Sequence, residues 1–135
     1  MKHPAMTLEI NQTAVVKVKA SKKHSANPVL HVKKGEVYRF EVPSGQCWYD
    51  MGIPSKSSGY KNIFLSIWSK RVPSAKCFTL CGTVGKDENH HFAIGSGLEK
   101  YEPVTEGDLY FFANDNKHFY WNNWGSLNVE VSRIQ

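Results

Sequence analysis

Short runs of alternating apolar and polar residues, cut about every 8 to 12 residues by turn formers, constrain this chain more than anything else. Residues 13–20 alternate as Val16-Lys17-Val18-Lys19, residues 37–42 as VYRFEV, and Leu127, Val129 and Val131 mark a third such run. Side chains that alternate with period two put one face on a core and the other in water. No helical period is sustained up to Gly45. In order, the pattern predicts a strand at 13–20, a polar loop at 21–28 and a short strand at 29–32. A turn at Lys33-Lys34-Gly35-Glu36 and a strand at 37–42 follow, broken by Pro43-Ser44-Gly45. Further on come a strand at 77–84, a hairpin turn at 85–89, a returning strand at 90–94 and a break at Gly95-Ser96-Gly97. Residues 99–104 approach a turn at 105–108, ahead of a strand at 109–113. Residues 50–76 are turn-rich at the start, with a possible strand at 64–68. The sum is an all-β chain of about eight short strands, an antiparallel β-sandwich of jelly-roll type.

At 135 residues the expectation is a single domain, 1–135, with a core of its own. An apolar share of 41% and an aromatic share of 13% exclude a disordered chain. The net charge of +5 permits contact with anionic surfaces or nucleic acid. Lysines that alternate with valines fit the solvated face of a strand better, and no nucleic-acid fold motif accompanies them. No apolar run is long enough to span a bilayer, so no membrane insertion is expected. Residues 1–16 lack an uninterrupted apolar h-region, which predicts a soluble protein without a Sec signal, cytoplasmic or exported by another route to act outside the cell.

The most suggestive loop is 114–125, between the strand at 109–113 and the run from Leu127. It carries Asp115, Asn122 and Asn123, with main-chain carbonyls between them. Calcium takes about six to eight oxygen ligands from carboxylates, amides, carbonyls and water, so one loop of this kind can supply several. Asn and Asp are also ordinary turn formers, which leaves a plain turn open beside the metal site. The loop is longer than a tight hairpin needs and displays Phe119, Tyr120, Trp121 and Trp124.

Asn114-Asp115, an intervening stretch, and Asn122-Asn123-x-Gly125-Ser126 followed by an alternating strand resemble the calcium loop of the PA-IL-like galactose-binding lectins. The match runs without a gap through the loop. It extends back to Cys81-Gly82, Gly95, Gly97 and Glu106-Gly107-Asp108-Leu109, and the N-terminal half follows the family's order of strands and turns. A gapless run from Gly35 to Gly45 places Tyr49 where the family has a tyrosine whose carbonyl binds calcium. The resemblance implies Ca2+ held by the side chains of Asp115, Asn122 and Asn123 and by the main-chain carbonyls of Tyr49 and Phe119. It implies a sugar site made by Tyr49, Asp115, Asn116, Phe119, Asn122 and Asn123, with the Asn116 amide offered to a hydroxyl. The implied ligand is the vicinal O3 and O4 pair of terminal galactose on glycans or glycoconjugates, and the implied assembly is a bacterial soluble lectin acting as a homo-oligomer, a dimer or tetramer. Two features depart from the family: Phe119 replaces a threonine, and no histidine occurs between Asp50 and Lys76, where the family contacts the galactose hydroxymethyl group.

Other chemistries find less support. A glycosidase needs two carboxylates across the scissile bond, and Glu99, Glu102, Glu106 and Asp108 fall in a turn-rich segment. Cys77 or Cys81 with His90 can be drawn as a thiol dyad, but no nucleophile motif surrounds them. Zinc on the same cysteines with His90 and His91 lacks the usual ligand spacing. Cys77 and Cys81 are either paired across a short loop or buried thiols. The chain reads as a calcium-dependent lectin and not an enzyme. The alternatives are a relative with a structural calcium and an altered sugar pocket, or a basic module for an anionic partner. Trp48, Tyr120, Trp121 and Trp124 are candidates to stack on the sugar, with several of them expected in the core.

Overall fold

The computed structural model describes residues 5–61 and 70–135. The possible strand at 64–68 lies outside the described residues. Among them the chain forms ten strands and a single 3-10 turn. The strands are β1 (Thr13–Lys19), β2 (Ser25–Val32), β3 (Tyr38–Glu41), β4 (Trp48–Asp50), β5 (Ile53–Ser55), β6 (Leu80–Val84), β7 (His91–Ala93), β8 (Gly97–Tyr101), β9 (Gly107–Ala113) and β10 (Asn123–Arg133). The 3-10 turn is Tyr120–Asn122. Every strand pair is antiparallel, and the sheet runs β5-β4-β10-β1-β2-β9-β6-β7, with β3 joining β10 to β8.

The sheet curls so that its inner face closes on one core. Val16 and Val18 of β1, Leu127, Val129 and Val131 of β10, Phe40 of β3, and Leu109 and Phe111 of β9 are buried there. Each such side chain contributes about 1.5–3 kcal/mol. Lys17 and Lys19 point outward, as the alternation requires. β10 organises the arrangement because it is paired along both edges. One edge takes β1 in register from Thr13↔Ser132 to Lys19↔Ser126, while the other takes β4 at its start and β3 at its end. The result is the expected all-β antiparallel sandwich, with two more strands than the eight anticipated.

The differences have local causes. β2 begins at Ser25, inside the expected loop 21–28. Lys17 pairs with Asn27, Ser25 Oγ accepts from Lys19 N at 2.9 Å, and a register shift between Ser25 and Leu30 absorbs Pro28, which has no N–H to give. The strand expected from Cys77 begins only at Leu80, because Phe78 adopts φ 62° and turns the chain first. β8 hides in the Gly95-Ser96-Gly97 break: Gly97 lies so close to β3 that a Cβ would stand 3.1 Å from the Phe40 carbonyl oxygen.

Candidate functional site

The loop from β9 to β10 is set by two neighbours with opposite tasks. Asn114 is fully buried, and its side chain staples the 72–76 segment. Its Oδ1 accepts from Val72 N at 2.9 Å, and its Nδ2 donates to the carbonyls of Val72, Ala75 and Lys76 at 2.9–3.2 Å. Asp115, one residue on, turns the other way toward β10 and β4. The far end of the loop is tied by Tyr120, whose hydroxyl donates to Ala113 O at 2.6 Å. Arg71 braces both ends: its main-chain N donates to Asp115 O at 3.2 Å and its Nη1 to the Tyr120 hydroxyl at 3.0 Å. The guanidinium also grips Glu88 through two nitrogens and lies 3.7 Å from the Phe112 ring centre. A planar fork with this many partners fixes the loop more firmly than a lysine would.

At the centre of the site Asn123 Nδ2 donates to Asp115 Oδ2 at 3.1 Å and to Ala20 O at 3.2 Å. Both acceptors fall on the nitrogen side, and the amide's Oδ1 is buried without a donor among the described residues. Asp115 Oδ1 accepts the Asn116 main-chain N–H at 2.7 Å. The pairing Asn123↔Asp50 brings a second carboxylate alongside, and Asp50 Oδ2 accepts the Tyr60 hydroxyl at 2.5 Å. Burial, with a smaller contribution from the charge of Asp50, pushes the Asp115 carboxyl up to about 6, against the lowering effect of Asn123 and the Asn116 amide.

The residues present fit a hard cation. The side-chain oxygens of Asn122 and Asn123 are both buried and accept no hydrogen bond among the described residues. A buried carbonyl oxygen without a donor costs about 1–3 kcal/mol. Beside them stands a carboxylate that the fold desolvates without supplying a basic partner among the described residues. Two amide oxygens without donors, one of them on a residue bonded to a carboxylate that has no basic partner among the described residues, are the kind of oxygen donors calcium takes. No cluster of three His, Cys, Asp or Glu side chains suited to a metal occurs among the described residues, so any such ion leans on amide and main-chain oxygens.

Of the expected site residues, Asp115 and Asn123 are in hydrogen-bond contact, and Asn122 precedes Asn123 with its own side-chain oxygen buried and without a donor among the described residues. Tyr49 sits opposite Trp124 in the β4–β10 pairing, one position from Asp50↔Asn123. Phe119 precedes the 3-10 turn, with its N–H on Asn116 O at 3.0 Å. The Asn116 amide, expected to face a sugar, is engaged by Asp115 in this state. Trp48 and Tyr120 are core residues, while Trp121 is 79% and Trp124 53% exposed. Trp124 stacks on Tyr49 at 3.7 Å and 6°, and its indole N–H donates to the Met51 carbonyl oxygen. Asp50 and Arg71 carry no motif of their own: pairing register places the first and burial among aromatics the second. The cysteines are free, with Cys77 and Cys81 buried; burial raises both thiols, Cys81 to about 12, so neither is a thiolate at neutral pH.

Eight solved chains match, among them one described as "EclA N-terminal domain; PllA-like lectin". It superposes with a TM-score of 0.62 at 20% identity, covering 90% of this chain and 94% of that one. The shared feature is the fold. No family model and no curated protein matches the chain. No helix among the described residues is long and apolar enough to cross a membrane.

Proposed function

We propose that this chain is a calcium-dependent carbohydrate-binding protein, a lectin for terminal galactose-type glycans, without catalytic activity. The observation that supports the reading is the bond between Asp115 and Asn123, next to Asn122, with both amide oxygens buried and without a donor among the described residues. Asp115, Asn122 and Asn123 would hold Ca2+ with their side chains, and Tyr49 and Phe119 with their main-chain carbonyls. The ion, when bound, supplies coordination for two vicinal sugar hydroxyls. Asp115 and one asparagine then exchange hydrogen bonds with those hydroxyls, and Asn116 offers its main-chain amide once released from the carboxylate. Trp124, held by Tyr49 on one face and by Met51 at its nitrogen, offers a rigid apolar surface to the C–H face of a sugar. The lectin fold of the structural neighbour supports carbohydrate binding in general. A homo-oligomer, dimer or tetramer, would let weak sites act together and raise avidity by about a hundredfold.

A glycan array read in calcium and again in a chelator tests the reading. Galactoside binding that disappears on chelation is the expected result, and binding that survives it overturns the calcium mechanism. A second reading keeps the ion but changes the sugar. It is favoured by the absence of histidine between Asp50 and Lys76 and by the exposed Trp121, and the array would then light up on other vicinal diols.

A further inference from the structure

We infer that Asp50 belongs to the cation site, its carboxylate joining Asp115, Asn122 and Asn123 as a fourth side-chain oxygen donor; this rests on the calcium reading above. Three independent features of the fold lead there. The first is register. Asp50 lies directly opposite Asn123, and residues opposite each other in an antiparallel pair project to the same face. The flanking bond, Met51 N to Asn122 O at 3.1 Å, marks the pair as the kind not joined by its own hydrogen bonds, in which side chains approach closest. Asn123 in turn donates to Asp115 at 3.1 Å, so it stands between the two carboxylates, paired with Asp50 across the ladder and bonded to Asp115.

The second feature is uncompensated charge. Asp50 is 5% exposed and Asp115 9%, and neither forms a salt bridge among the described residues. The Tyr60 hydroxyl on Asp50 is a hydrogen-bond donor without charge. Burying two like charges side by side is unfavourable unless a counter-charge joins them. A divalent cation balances the pair. The third feature is Asn123 itself: 4% exposed, its nitrogen committed to Asp115 and Ala20, and its Oδ1 without a donor. Four side chains with the carbonyls of Tyr49 and Phe119 reach the lower end of the roughly six to eight oxygens calcium takes.

Calorimetric titration of the full chain with calcium chloride tests the assignment, with thermal melts in calcium-free buffer to verify folding. Asp50→Asn keeps shape and hydrogen bonding to Tyr60 and removes only the charge. The expected result is at least about a tenfold loss of calcium affinity in Asp50→Asn, with metal-free stability equal to wild type or higher. Tyr60→Phe, which removes the hydroxyl and keeps the charge, is expected to shift affinity less than about threefold. Wild-type binding with an unchanged Asp50→Asn titration overturns this inference alone, as does Tyr60→Phe reproducing the full loss. A wild-type chain that takes up no calcium overturns the calcium reading together with it.

Discussion

Asn114 and Asp115 show how much turns on a single residue step. Both are turn formers in the same loop, yet one is a structural staple and the other the charged centre of the candidate site. Removing the Asn114 amide takes the partner from the half-buried Val72 N–H and the Ala75 carbonyl, and leaves the Val72 and Lys76 carbonyls with only the N–H groups of Ala75 and Thr79. Asn114→Ala is expected to cost about 2 kcal/mol in urea unfolding, the penalty of stranding part-buried polar groups. Asp115→Ala should leave stability in metal-free buffer near wild type, because it deletes a desolvated carboxyl. It should weaken calcium binding by about tenfold or more, and an equal calcium titration would move the site elsewhere. The sequence marks the pair as chemically notable but does not separate the two roles, since adjacent residues in an irregular loop have no fixed period. Asp50 was less readable still. Its neighbour Tyr49 stands out by alignment, whereas Asp50 acquires a partner only when β4 is laid against β10.

At the scale of elements, β10 links the core to the site. Its C-terminal part pairs β1 and β3 over the core, and its first three residues pair β4 at the sheet's margin. Gly125 makes the change of direction: φ is 88°, and a Cβ would lie 3.3 Å from Trp48 Cα and Tyr49 Cδ2. Gly125→Ala is expected to destabilise by about 1–2 kcal/mol from the positive φ and to disturb the Tyr49–Trp124 stack, seen as a lower melting temperature and altered tryptophan fluorescence. A second element-level device joins β2 to β9. His31 bridges Asp108 and Glu106, each at 3.0 Å, and hydrogen bonding to the two carboxylates raises its pKa above 6.5. A cation favoured in the folded state adds stability that is fully present below the unfolded value and is lost as pH rises through the folded one. Stability should therefore fall as pH climbs from about 6.5 through the raised pKa, and His31→Gln should flatten that slope in pH-dependent melts. The alternating strands were readable because one face is buried throughout. β2 and β8 were not, because Pro28 and Gly97 look like breakers until a register shift or a close strand approach accommodates them.

For the whole molecule, a sandwich of antiparallel strands follows from turn spacing and period-two patterning, whereas a site assembled from β4, the β9–β10 loop and β10 is a product of topology. Two of its parts, residues 49–50 and 115–123, are far apart in sequence and meet because β10 carries β4 on one edge and β1 on the other. A cation there would bridge segments that the unfolded chain holds apart, so binding and folding are coupled. Calcium at about a hundred times its dissociation constant is expected to add about 2.7 kcal/mol, roughly a 10 °C rise in melting temperature for a chain of this length. The rise should grow with the logarithm of calcium concentration and vanish in chelator. Magnesium, which demands a smaller octahedral shell and keeps its waters, should give a much smaller shift. Equal melting curves with and without calcium would mean that the buried carboxylates and orphaned amide oxygens are satisfied without a cation, and both the lectin mechanism and the role of Asp50 would have to be abandoned.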